Sequence, residues 1–269
     1  WWAAAPSGAD NPAWSDASGW IGSGTYTYDT TGWAAGSYLL LAWATDGPWA
    51  VPEVQQQASF QLTTAVSFQV SGIGYQSQAY REDCEEAALQ MALEHEGISA
   101  SQATILSIEG VDASVPGIGP GLDGDPYRTF VGPPNSEGTD SAEPGTYYPV
   151  VARAAGALGG AVLSSGQGIT PDQLFTEIED GHPAVAWVTA TWQHFNASTI
   201  CAQGDCFPWA GPDEHAVTVI GVGTNAVLID NPLLTSIYHD PYLGPGVWVP
   251  MSVFDSVYAT YGDMAVVLN

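Results

Sequence analysis

The sequence predicts an α+β chain in which a small all-β module precedes a larger mixed domain. Two observations lead there. Residues 1 to about 65 break into short alternating stretches between glycine turns, the habit of strands. Beyond them helical signals come first and strand-length apolar runs follow, which is the order of an α+β fold.

In the first module "GTYTYDTTG" (24–32) alternates, "GSYLLLAWATDG" (36–47) reads as a strand between turns, and "QASFQLTTA" (57–65) alternates around Phe60 and Leu62. "PWAVPEVQQQ" (48–57) reads as a loop or edge, and the many Trp and Tyr here read as core rather than as a carbohydrate platform. From about residue 66 the texture changes. A helix is predicted from Cys84 to Glu96, ended by Gly97, with Cys84, Ala88, Met91, Ala92 and His95 on one face. Residues 110–146 are rich in Gly and Pro and read as a long ordered loop. "ITPDQLFTEIEDG" (169–181) is a strong helix signal: Thr170 caps, Pro171 takes the first turn, Gln173 completes a capping box, and Leu174 and Ile178 face inward. "PAVAWVTA", "HAVTVIGV", "AVLID" and "MAVVL" are strands.

Composition narrows the function. The chain has 269 residues and 29 acids but only three bases, Arg81, Arg128 and Arg153, so its net charge is −26. Such a charge repels phosphate backbones and anionic lipid, which excludes nucleic acid and membrane surfaces as partners. No run approaches the ~18 apolar residues of a membrane span. The opening "WWAAAPSG" has neither the basic nor the apolar region of a secretion signal, so an exported chain would be met here in processed form.

Of the three cysteines, Cys84 stands in "QAYREDCEEAALQMALEHEG" (78–97), at the predicted start of a helix. A thiol nucleophile needs a lowered pKa, a base within reach and donors for an oxyanion. The helix N-terminus favours an anion, and the Gln78 amide, six residues upstream, can point where the Cys84 N–H points. "EHAVTVIGVGTNAVLIDNP" (214–232) reads as a hairpin turning at Gly223 and Thr224, which brings His215 beside Asn231. An Asn or Asp there would hold one ring nitrogen and leave the other for the thiol.

Together, "Q-x5-CEEAALQMAL", "GHPAVAWV" and "EHAVTVIGV…LIDNP" resemble the papain-like cysteine peptidases. The nearest branch is that of the double-glycine leader peptidases that process bacteriocin precursors, with their secreted relatives. The resemblance covers about residues 66–269. It implies Gln78 as oxyanion residue, Cys84 as nucleophile, His215 as general base and Asn231 as the residue that orients it. These relatives usually carry Asp directly before the proline of the last motif. Here Asn231 holds that position and Asp230 precedes it, so Asp230 competes for the role. Glu82, Asp83, Glu85 and Glu86 crowd the thiol and should raise its pKa, so a thiolate would rely on an ion pair with His215; Arg81 offsets part of this.

The plainer readings stand beside these. A lone cysteine on a helix is most often core, and His95 and His182 read as structural. Cys201 and Cys206 in "CAQGDC" read as a disulfide in a loop, which leaves Cys84 as the odd thiol. The rival is a zinc site of His194, Cys201, Cys206 and His215, whose spacing matches no known zinc module.

The expectations are a β-sandwich-like (Ig-like) module over 1–65, lacking its first strands, and a papain-like peptidase domain over 66–269. The module resembles one found in secreted bacterial proteins, and its missing strand would invite a neighbouring subunit, giving a homo-oligomer or filament. The substrate is a peptide or protein, no cofactor or metal is needed, and the location is extracellular. Two alternatives remain: a non-catalytic structural or filament-forming protein that keeps the fold, and an enzyme acting on isopeptide or peptidoglycan cross-links.

Overall fold

The computed structural model describes residues 68–113, 118–119, 122–135, 144–211, 213–235 and 241–269, together with the backbone of four strands nearer the start. The chain divides into two compact units, Trp1–Val66 and Ser67–Asn269. In the first, strands β1 (Trp2–Pro6), β2 (Ser15–Asp16), β3 (Gly36–Ala44) and β4 (Val54–Leu62) form an antiparallel sheet in the order β2-β1-β3-β4. The stretch read as loop or edge gives Val54 to Gln57 to β4, because β4 pairs with β3 over its whole length, Val54 opposite Ala44. The strand expected at 24–32 and every side chain of this unit lie outside the described residues.

The second unit opens with β5 (Phe68–Gln69), α1 (Cys84–His95) and α2 (Gln102–Glu109). The Gly/Pro-rich stretch follows, with two-residue strands β6 (Val111–Asp112), β7 (Ile118–Gly119), β8 (Leu122–Asp123) and β9 (Phe130–Val131). Then come α3 (Tyr148–Leu158), β10 (Val162–Gly166), α4 (Pro171–Glu179), β11 (Ala184–Thr189), β12 (Ser198–Ala202), β13 (Asp205–Trp209), β14 (Glu214–Val222), β15 (Ala226–Asn231), β16 (Gly244–Pro250), α5 (Met251–Tyr258) and β17 (Ala265–Leu268). The central sheet runs β10-β17-β11-β14-β15-β16, all antiparallel, and β5 adds to β14. At that addition Gly221 is obligatory, since a Cβ there would sit 2.6 Å from the Phe68 carbonyl oxygen.

β11 and β14 are buried on both faces along almost their whole length and are largely apolar, with Glu214, His215 and Thr218 the polar residues of β14. Alternation divides their side chains between two cores. Val185, Trp187 and Ala216 join α1, α2 and α3 in one cluster; Ala186, Val188, Val217 and Val219 join α4 and α5 in the other. α4 starts as its residues dictate: Thr170 accepts the Gln173 N–H, Gln173 reaches back to the Thr170 N–H, and Leu174 and Ile178 are buried.

α1 departs from the expected one-sided helix. Every residue from Cys84 to Leu93 except Gln90 is buried, Glu85 and Glu86 included. Ala87, Ala88 and Ala92 allow this by letting neighbours approach closely, and Thr218 Oγ1 donates to the Ala88 carbonyl at 3.0 Å. "CAQGDC" departs too. It is the tip of a hairpin, β12 against β13, with Cys201 opposite Cys206 and a disulfide between them.

Candidate active site

The last β14–β15 pair is Thr218 with Asp230, after which β15 leaves. Ala216 lies two residues beyond, so its N–H points the same way with no strand beside it. That N–H donates to Cys84 Sγ at 3.3 Å. The sulfur thus fills the notch where two strands separate, near the plane of the sheet. Glu214 and Ala216 project to the α1 side of β14; His215 projects to the other, level with Val188.

His215 is buried, and its Nε2 lies 2.9 Å from Asn231 Oδ1. The same oxygen accepts the Leu233 N–H at 2.9 Å, and Asn231 Nδ2 donates to the Tyr242 carbonyl at 2.8 Å. Asn231 is therefore held on three sides. Asp230 turns away, as neighbouring strand residues must, and its Oδ1 accepts the Gly246 N–H at 2.7 Å. Gln78 sits on the loop before α1, tied to the same region by its N–H, which donates to the Pro232 carbonyl at 3.1 Å. Its side-chain amide donates to the Arg81 carbonyl at 2.9 Å, inside its own loop.

Residues 70–266 match the Peptidase_C39 like family. The chain belongs to that family, and so to the papain-like cysteine peptidases. A crystal structure from Bacillus anthracis, described as a C39-like peptidase, is similar with a TM-score of 0.62 and 20% identity, covering 76% of this chain and 97% of that one. At that identity the likeness speaks for the fold. No curated protein matches the chain.

The electrostatics of this C39-like chain are unusual around the sulfur. Cys84 is 5% exposed, and its thiol is pushed well above the ordinary range, first by burial and then by the charges of Glu85 and Glu214. The helix N-terminus, expected to lower it, does not prevail against the loss of water. Sγ donates to Glu85 Oε2 at 3.2 Å. Glu85 Oε1 accepts the Thr146 N–H at 2.8 Å, and burial pushes this carboxyl well up. The close approach requires Gly145, at φ +58°, because any Cβ there would collide with Glu85 Oε1. Asp83 turns back onto the Tyr80 N–H at 3.1 Å, and burial raises it to about 7. Glu86 and Glu109 are buried acids whose carboxyl oxygens have no hydrogen-bond partner among the described residues, and burial pushes both carboxyls up.

The rival zinc set does not assemble: both sulfurs of the hairpin are in the disulfide, and His194 Nδ1 lies 2.8 Å from the Ser256 carbonyl oxygen. His95 Nδ1 lies 2.6 Å from the Ser71 carbonyl oxygen, a structural link. Sequence reasoning passes over Glu214, the Ala216 N–H and Tyr261. For Glu214 the signal exists, since a residue next to His215 in a strand must face the opposite side, where α1 packs.

Proposed function

We propose that this chain is a cysteine peptidase that hydrolyses peptide bonds through an acyl-thioenzyme, with Cys84 as nucleophile, His215 as base and Asn231 as its orienter. The observation that carries the reading is the His215–Asn231 hydrogen bond, one residue from the N–H that holds the Cys84 sulfur. Asn231 takes Nε2, which directs Nδ1 as the nitrogen for the thiol proton. Attack on the scissile carbonyl forms the S–C bond and an oxyanion. The Cys84 N–H at the start of α1 and one Gln78 amide N–H, turned from the Arg81 carbonyl, stabilise it. Imidazolium then protonates the leaving amine, and water hydrolyses the thioester by the reverse sequence.

The disulfide supports an exported protein, because such bonds persist in oxidising surroundings. The net charge suits that setting. The test is labelling of the native chain with an activity-directed thiol peptidase probe. Rapid modification of Cys84 that is lost in His215→Ala supports the reading. Equal, slow labelling of both chains leaves the fold as a non-catalytic scaffold.

A further inference from the structure

Polar groups that the proposed reaction does not use gather on the Glu214 side of Cys84. Cys84 Sγ, a Glu85 carboxylate oxygen and a Glu214 carboxylate oxygen lie within 4.8 Å of one another. Around tetrahedral zinc, with Zn–S about 2.3 Å and Zn–O about 2.0 Å, sulfur and oxygen stand about 3.5 Å apart. The Sγ–Oε2 separation of 3.2 Å is close to that edge already. Glu85 is fixed from behind by the Thr146 N–H, as a supporting hydrogen bond fixes a ligand.

A second observation is independent of these three side chains. Tyr261 is fully buried and its hydroxyl has no hydrogen-bond partner among the described residues. Tyr261 packs in the same buried cluster as Cys84, and after burial the charges acting on its hydroxyl are those of Glu214, Asp213, Cys84 and Glu85. An unsatisfied buried hydroxyl costs about 1–3 kcal/mol, so a polar occupant of the space it faces would repay it. Glu214 Oε1 is also buried without a partner.

We propose that Cys84, Glu85 and Glu214 form a binding site for a borderline-soft divalent cation, zinc(II), with the Tyr261 hydroxyl beside it to hydrogen-bond the water that completes the shell. One thiolate with two carboxylates suits zinc, whereas calcium and magnesium call for oxygen alone. Binding moves no electrons: zinc displaces the thiol proton, and that of any protonated carboxyl, to solvent. Glu214 is only half-buried and gives the entry, while Cys84 and Glu85 are closed off. The metal would occupy the sulfur that acylation requires, so zinc occupancy and hydrolysis exclude each other. Only that consequence rests on the peptidase reading.

The test uses the full chain, stripped with a chelator and dialysed against zinc(II). Bound metal is counted by elemental mass spectrometry, and the Cys84 alkylation rate is measured with and without zinc. One zinc per chain and alkylation slowed about tenfold or more by zinc are expected, with affinity weakened about tenfold or more in Glu214→Gln and lost in Cys84→Ala. Glu214→Asp, which keeps a carboxylate, should bind more tightly than Glu214→Gln, which separates ligation from misfolding. No zinc retained by the wild type would overturn the proposal. So would a Glu214→Gln chain that binds as the wild type does while His215→Ala loses the metal, for the ion would then lie on the other side of the sulfur. The metal count stays readable if the chain hydrolyses nothing, so this proposal and the peptidase reading fail separately.

Discussion

Against one face of the central sheet lie α1, α2 and α3, and buried among them or beside them are Asp83, Glu85, Glu86 and Glu109. Against the other lie α4 and α5, around Val217, Val219, Ile229 and Phe254, and there the buried polar pair is His215 with Asn231. Both faces are dry. On the second, each described atom of Asn231's amide has a partner. On the first, the carboxyl oxygens of Glu86 and Glu109 and the Tyr261 hydroxyl have no partner among the described residues. Proteins rarely tolerate buried polar groups in that condition, and here most of them lie on the side of the sheet that carries the sulfur, with Trp192 Nε1 and Asp255 Oδ1 the exceptions on the other. The cluster holds Cys84 Sγ through Glu85 Oε2, and the Ala216 N–H that donates to this sulfur stands one residue from His215 of the positioned pair.

The largest test of that division is removal of the atom itself. Cys84→Ala should abolish hydrolysis of a denatured protein substrate outright. Its circular dichroism should stay native, with a stability loss of about 1 kcal/mol for the small volume removed. Next comes the pair. Asn231→Ala should lower kcat on the order of a hundredfold, because His215 loses its fixed tautomer. Asp230→Ala should leave kcat within a few fold and cost about 1 kcal/mol through the lost Gly246 hydrogen bond. The reverse ranking in steady-state kinetics would give the orienting role to Asp230 and undo the assignment of that face.

A smaller effect is expected at the hairpin that covers the acidic side, where Ala202 and Phe207 join the Cys84 cluster. The Cys201–Cys206 bond closes a short loop, so its loss in the double Cys→Ala variant should cost about 2 kcal/mol. In a domain of this size that lowers Tm by about 4–8 °C in calorimetry. Intact mass after denaturing alkylation should count one reactive thiol in the native protein and the same one in the variant.

The contrast between faces is also a contrast in legibility. His215 and Asn231 can be found from the sequence because a hairpin is local: the turn after Gly223 brings β14 and β15 together, and the two residues meet just past the last paired position although a bulge between Val219 and Gly221 shifts the register. α4 is legible for the same reason, its cap and first turn lying within four residues. α2 offers a weaker signal, Ser101 accepting the Thr104 N–H. α3 is announced only by Pro149 in its first turn and the left-handed Gly159 at its end, and α5 by nothing; Tyr147 and Pro250 stand at their N-caps with no side-chain cap bond at either. The acidic cluster is the hardest. Glu82, Asp83, Glu85 and Glu86 read from the sequence only as charges crowding the thiol, and what receives Glu85 in the interior is the backbone at Gly145 and Thr146, which nothing near α1 announces. Long-range partners decide the fate of a carboxylate, and one sequence does not pair them.

Glu109 gives the finest probe of the cluster, through pH. Burial raises its pKa to about 8 against an ordinary value near 4.5, with Glu85 adding to the rise while Glu86 and Arg153 act against it. Between those values the folded chain holds a proton that the unfolded chain has released. Stability from this group is therefore greatest in acid and falls as pH rises, until the full cost of a buried charge is felt above about pH 8. The general repulsion of a strongly acidic chain acts in the same direction, so a falling Tm alone proves little. The Glu109→Gln variant separates the two. Its amide cannot ionise and can donate to Glu86, so it should melt close to the wild type at pH 5. At pH 9 it should melt higher by about 2–4 °C, the equivalent of about 1 kcal/mol in a unit of this size. Parallel melting curves for the two chains from pH 5 to 9 would mean that water reaches Glu109 and that this face is as comfortable as the other.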